Sequence, residues 1–86
     1  MMKNKMELNE LSKVTGGITS EQAYEAALKH AKTNRNAATL KKNKLDYDDG
    51  VKKYEVEFLV GTTEYEYDID ANTGKVLGFE MESIFD

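Results

Sequence analysis

The stretch "EYEYDIDANTGKVLGFE", residues 64–80, decides how this chain folds. On both sides of "ANTG" apolar side chains alternate with acidic or small ones, the period of two that suits half-buried strands. Gly74 supplies the left-handed position that a three-residue hairpin loop needs. That loop sets Ile69 opposite Leu77 and Tyr67 opposite Phe79.

Working back along the chain, two more turns set two more registers. Gly61-Thr62 suits a two-residue type II′ turn, which places Phe58 opposite Tyr65 and Val56 opposite Tyr67. Asp49-Gly50 suits type I′, which places Leu45 opposite Tyr54. The three registers agree on one apolar face. Leu45, Tyr54, Ile69 and Leu77 form one row, Val56, Tyr67 and Phe79 a second, and Phe58, Tyr65 and Met81 a third. Agreement between turn chemistry and side-chain pattern predicts a four-stranded antiparallel meander.

The opposite face is nearly all charge. Lys44 falls beside Glu55 and Asp68, and Lys42 beside Glu57 and Glu66. Glu66 meets Glu80 and Glu64 meets Glu82, like-charge pairs that destabilise unless a cation or a partner relieves them. Glu57, Glu64, Glu66, Glu80 and Glu82 are therefore the candidate docking face, weighed against an ordinary solvated surface.

Ahead of the strands, "ITSEQAYEAALKHA" reads as a helix over 20–32. Thr19 is the N-cap, Gln22 completes a capping box, and Ile18 is placed to staple the start. At about 100° per residue, Ala23, Tyr24, Ala26, Ala27, Leu28 and Ala31 share one arc. So many alanines favour close approach to a flat partner, and the helix is expected to cover the apolar face of the sheet. "KTNRNAA" is a polar connection. The fold class is α+β, one α-helix packed on a four-stranded antiparallel meander sheet.

Composition narrows the function. The 86 residues allow a single core, with 40% hydrophobic and 33% charged residues. A net charge of −4 argues against nucleic acid, which needs clustered Lys and Arg. The absence of cysteine removes disulfides, thiolate metal sites and thiol nucleophiles. No apolar run reaches membrane-span length, and the N-terminus lacks the apolar middle of a secretory signal peptide. Membrane insertion is not expected, and a monomer is.

From Ile18 to Glu82 the chain resembles the PepSY domain family, through "ITSEQAYEAALKHA", the "YEVEF" strand and "EYEYDIDANTGKVL", whose "DIDANTG" turn is the most specific part. PepSY domains occur in propeptides of secreted metallopeptidases and in cell-envelope proteins. The resemblance implies a non-catalytic module that binds or restrains a peptidase. No peptidase segment accompanies it here, so the implied target is a separate, extracellular peptidase.

The first seventeen residues resemble a double-glycine leader, the export tag read by peptidase-containing ABC transporters. Counting back from a cut after Gly17, apolar positions fall on Val14, Leu11 and Met6 and the acidic one on Glu10; Gly16 and Gly17 are the cleavage residues. Wound as a helix, Met6, Leu11 and Val14 lie within an arc of about 140° that also contains Glu7 and Glu10. Such a surface suits a groove that reads anchors plus a charge better than it suits a core. Side-chain-free glycines thread a narrow protease cleft, and they also end helices. The alternative is a helix cap and linker. The leader, residues 1–17, is expected to be flexible or weakly helical, since isolated short helices are marginal in water. The PepSY-like domain would span 18–86.

Other constellations are weaker. "DIDANTG" sets Asp68, Asp70 and Asn72 at alternating positions, but Thr73 and Phe79 stand where a calcium loop needs Gly and Glu. His30, the only histidine, cannot make a zinc site alone and is expected to be a half-buried packing residue. No metal or cofactor is expected, and no catalytic set is visible. The expected protein is a non-enzymatic cargo made in the cytoplasm, cut by the cysteine-peptidase domain of its transporter and exported.

Overall fold

The computed structural model describes residues 17–85. One helix, α1 (Ser20–His30), precedes four strands, β1 (Ala38–Asp48), β2 (Val51–Val60), β3 (Thr63–Asp70) and β4 (Val76–Ser83). The strands follow one another across a single antiparallel sheet in the order β1-β2-β3-β4.

The helix begins as its sequence predicts. The Thr19 hydroxyl accepts the Gln22 N–H at 3.1 Å, and the Gln22 side chain accepts the Thr19 N–H at 2.9 Å. Two of the orphan donors at a helix start are thereby satisfied. The helix ends at His30, two residues short of the expected 32. Lys32 takes a left-handed φ of 60°, its N–H bonds the Lys29 carbonyl, and the Thr33 N–H returns to the Leu28 carbonyl. This is a Schellman-type stop with lysine where glycine is usual.

Turn chemistry holds the sheet in register. Asp49 and Gly50 both have positive φ, as a type I′ turn requires, and Gly61 has the positive φ of a type II′ turn. Leu45 therefore faces Tyr54, Phe58 faces Tyr65 and Val56 faces Tyr67, as expected. The last hairpin differs in one step. Ile69 pairs with Val76, not Leu77, and the register then shifts so that Tyr67 still meets Phe79. The loop is one residue longer than the three-residue form: Asp70 N–H bonds the Lys75 carbonyl, leaving Ala71 through Gly74 outside the ladder. A bulge at Leu77 then restores the phase. Ala71 leaves the ladder because it is held elsewhere. Its N–H donates to Lys52 O, its carbonyl accepts the Ile18 N–H at 2.7 Å, and it is buried.

The core lies between α1 and the sheet centre. Ala23, Tyr24, Ala27 and Leu28 pack on Val56, Phe58, Tyr67 and Ile69. Rings run diagonally across the strands: Tyr65 stacks on Phe58 (5.2 Å between centroids), Phe58 on Tyr67 (5.9 Å) and Tyr67 on Phe79 (5.3 Å). The helix does not cover the whole apolar face. It packs chiefly on β1, β2 and β3, and on β4 Phe79 and Met81 remain 48% and 59% exposed. The reason is one of size, since a helix about 10 Å wide cannot roof four strands spaced about 4.8 Å apart.

Candidate docking face

The face of the sheet away from α1 carries the charges that the registers predict. A bulge between Leu40 and Lys42 inserts Lys41 into β1. Lys42 contacts Glu55 (2.9 Å) and Glu57 (3.5 Å), and Lys41 reaches Glu64 at 3.5 Å. Lys53 contacts Asp68 (3.1 Å) and Asp48 (3.7 Å). The cations thus collect on β1 and β2. Lys42 does not extend to Glu66, and Lys44 makes none of these ion pairs although it lies opposite Glu55.

Acidic groups dominate the other half. Glu57 lies opposite Glu66, Glu66 opposite Glu80, and Glu64 opposite Glu82. Among the described residues, Glu66, Glu80 and Glu82 have no ion-pair partner. The electrostatic consequence differs across the face. At Glu55, the hydrogen bond from Lys42 outweighs the loss of water and holds the carboxyl below the ordinary range, aided by Asp46 and by the charges of Lys42 and Lys44. At Glu66, loss of water and then the charges of Glu57, Glu80, Glu64 and Glu82 push the carboxyl up.

Carboxylate oxygens of Glu57, Glu64 and Glu66 lie within 4.8 Å of one another, close enough to share a cation. Exposed acidic groups often gather in this way without one. The triad adds Glu57 to the expected pairs Glu66 with Glu80 and Glu64 with Glu82. The signal was present in the cross-strand register of Glu57 and Glu66.

Both aspartates of "DIDANTG" are engaged in the hairpin. Asp68 takes the Lys53 ammonium, while Asp70 accepts the N–H groups of Asn72 (2.7 Å) and Thr73 (3.1 Å). The motif is a side-chain-closed turn. His30 packs edge-on against Phe79 and Tyr67, with Nδ1 2.9 Å from the Tyr67 hydroxyl. The residue is more exposed than the half-buried position expected. Burial pushes the Tyr67 phenol up, with the Tyr65 phenol adding to the effect.

The polar connection after α1 holds a residue, Arg35, with a role that its sequence neighbourhood does not signal. Arg35 folds back to Glu21 and Glu25 and sets its guanidinium 5.1 Å from the centre of the Tyr24 ring. Contacts over 10 and 14 positions of chain leave no local periodicity to find.

At the N-terminal boundary, Ile18 is tied down at both backbone groups: its N–H to Ala71 and its carbonyl to the Tyr54 hydroxyl at 2.9 Å. Gly17 approaches the same Ala71 carbonyl so closely that a Cβ there would lie 2.7 Å from it. Met6, Glu10, Leu11, Val14 and Gly16 lie outside the described residues.

A single helix laid over an antiparallel meander, with a mixed-charge open face, defines a small α+β module. The chain belongs to the PepSY family, "Peptidase propeptide and YPEB domain", whose pattern it matches over residues 17–80. It is 35% identical over 69 residues to the uncharacterized protein Spy1430 of Streptococcus pyogenes serotype M6, covering 80% of this chain and 53% of that protein. It is 38% identical over 66 residues to the uncharacterized protein YkoJ of Bacillus subtilis, covering 76% and 36%. A crystal structure of a "putative lipoprotein" from Clostridium difficile 630 superposes with a TM-score of 0.63 at 33% identity, covering 78% of this chain and 41% of that one. The chain therefore spans about half of Spy1430 and less than half of the other two.

Proposed function

We propose that this protein is a non-enzymatic PepSY cargo, carried out of the cell by a peptidase-containing ABC transporter after its leader is cut behind Gly17. The observation that carries the reading is the position of the boundary. The family match begins at residue 17, and Ile18, directly behind the proposed cut, is tied into the fold at both backbone groups. A new amino terminus at Ile18 could keep its donor on the Ala71 carbonyl. The proposed cut has one physical requirement: with Gly17 and Ile18 held against Ala71, an extended protease cleft gains the peptide bond only when these residues peel away.

The test is intact mass after incubation with a double-glycine-type cysteine-peptidase domain. A single cut after Gly17, abolished by Gly16→Ala, is the expected result. An uncut chain with a peptidase active on its own substrate would overturn the reading. Gly16→Ala is the cleaner control, because a side chain at Gly17 disturbs the domain as well as the cleft.

A second reading has its own observation in support. The close approach of Gly17 to Ala71 accounts for that glycine without any cut. On this reading the chain is a PepSY binding module that restrains a separate peptidase, inside the cell if the leader stays attached. Full activity of candidate peptidases at saturating domain would count against it.

A further inference from the structure

The two edges of the sheet are built differently. β1 carries Lys41, Lys42 and Lys44 and a bulge, devices that blunt an edge against further pairing. β4 has no lysine and runs in unbroken register from Gly78 to Ser83. The bond from the Ile84 N–H to the Thr62 carbonyl, 2.9 Å, fixes its phase. Antiparallel alternation then turns the backbone groups of Glu80 and Glu82 toward β3 and those of Phe79 and Met81 toward the open side. On the apolar face the side chains of Phe79, packed against His30 of α1, and Met81 stay about half exposed. Those of Glu80 and Glu82 stand on the other face, opposite further glutamates.

Charge decides which occupant fits. A second copy pairing β4 against β4 would bring glutamates opposite glutamates, lengthening a like-charge run that already destabilises the sheet. A strand with apolar residues on one face and Lys or Arg on the other matches both faces of β4. We propose that β4 is the acceptor edge for an extended peptide alternating apolar and basic residues, which joins the sheet as a fifth strand. This deepens the binding-module reading and rests on it only in that the domain acts by binding. Its test contains neither peptidase nor transporter, so the two can fail separately.

The full chain is titrated with a decapeptide alternating valine and lysine, with a version carrying glutamate for lysine, and with a block-ordered peptide of the same valine–lysine composition. Binding and amide exchange are followed by NMR. The alternating lysine peptide is expected to bind about tenfold or more tightly than either of the others at low salt, and to slow exchange at the Phe79 and Met81 amides. Glu80→Lys with Glu82→Lys reverses the preference between lysine and glutamate peptides. Met81→Pro, which removes an outward N–H and no bond to β3, abolishes binding. Failure of the lysine peptide to bind, or affinity for it no greater than for either of the other two, overturns the proposal. So does protection of the Phe79 and Met81 amides without peptide: loss on dilution assigns the edge to a second copy, and loss on deletion of residues 1–16 assigns it to the chain's own N-terminal segment.

Discussion

The Tyr67 hydroxyl and the His30 Nδ1 lie 2.9 Å apart at the rim of the core, joining the last turn of α1 to the centre of β3. Tyr67 itself is only 2% exposed, so the bond gives a phenol within the aromatic stack its polar partner. Tyr67→Phe removes the bond while keeping the ring. We expect a loss of about 1 kcal/mol in urea unfolding. An unchanged midpoint would mean that the hydroxyl contributes no more to folding than its hydration in the unfolded chain.

Gly17→Ala should destabilise the domain by about 1–3 kcal/mol, because the neighbour it meets is a backbone carbonyl that cannot swing aside. Deleting residues 1–16 from both forms isolates the packing effect from any leader function. Equal thermal midpoints for the truncated pair would show that the junction relaxes freely.

Lys32→Gly should have the opposite sign. The left-handed position disfavours a residue with a Cβ by roughly 1–2 kcal/mol, while glycine's extra freedom in the unfolded chain takes back roughly 0.5–1 kcal/mol. The difference leaves a gain of up to about 1.5 kcal/mol, readable in chemical denaturation. A loss would show that the lysine side chain contributes more than its backbone conformation costs.

Glu66 and Glu55 predict opposite effects with pH. Glu66 has a folded-state pKa above its ordinary value of 4.5, so the folded state holds the proton more tightly. Its unfavourable contribution is absent below 4.5 and develops as pH rises through the folded value. Glu66→Gln should therefore raise the melting temperature at pH 7, with the gain shrinking toward pH 4 and in high salt. Glu55 is shifted down, so its stabilisation is present above the ordinary value and lost as pH falls through the folded one. Glu55→Gln should lower the melting temperature at pH 7. Melting curves of both variants between pH 3.5 and 8 check the signs.

Much of the sheet was legible because two kinds of signal agreed. Asp49-Gly50 and Gly61-Thr62 name their turn types, and the apolar alternation on either side permits one phase. The last hairpin misled by one residue because Ala71 is drawn out of the ladder by Ile18 and Lys52, partners distant in sequence. The early stop of α1 was hidden because lysine, unlike glycine, gives no sign of a left-handed conformation. The exposure of Phe79 and Met81 was also hidden, since an alternating pattern identifies an apolar face and says nothing about how much of it one helix can roof. The acidic face followed from register. Its division into a neutralised half and an uncompensated half depended on where Lys41, Lys42 and Lys53 reach, which strand spacing alone does not set.

The knot of contacts at Ala71 also gives the domain a mechanical direction. Tension passed to Ile18 loads its bond to Ala71 and the one it accepts from Tyr54. Once these part, α1 can be drawn off turn by turn while the strands remain paired, so the fold yields by peeling. Tension along the strands from the C-terminal end meets the whole β3–β4 ladder together. Pulled from Ile18 the domain gives way contact by contact, whereas along its strands it must give way all at once.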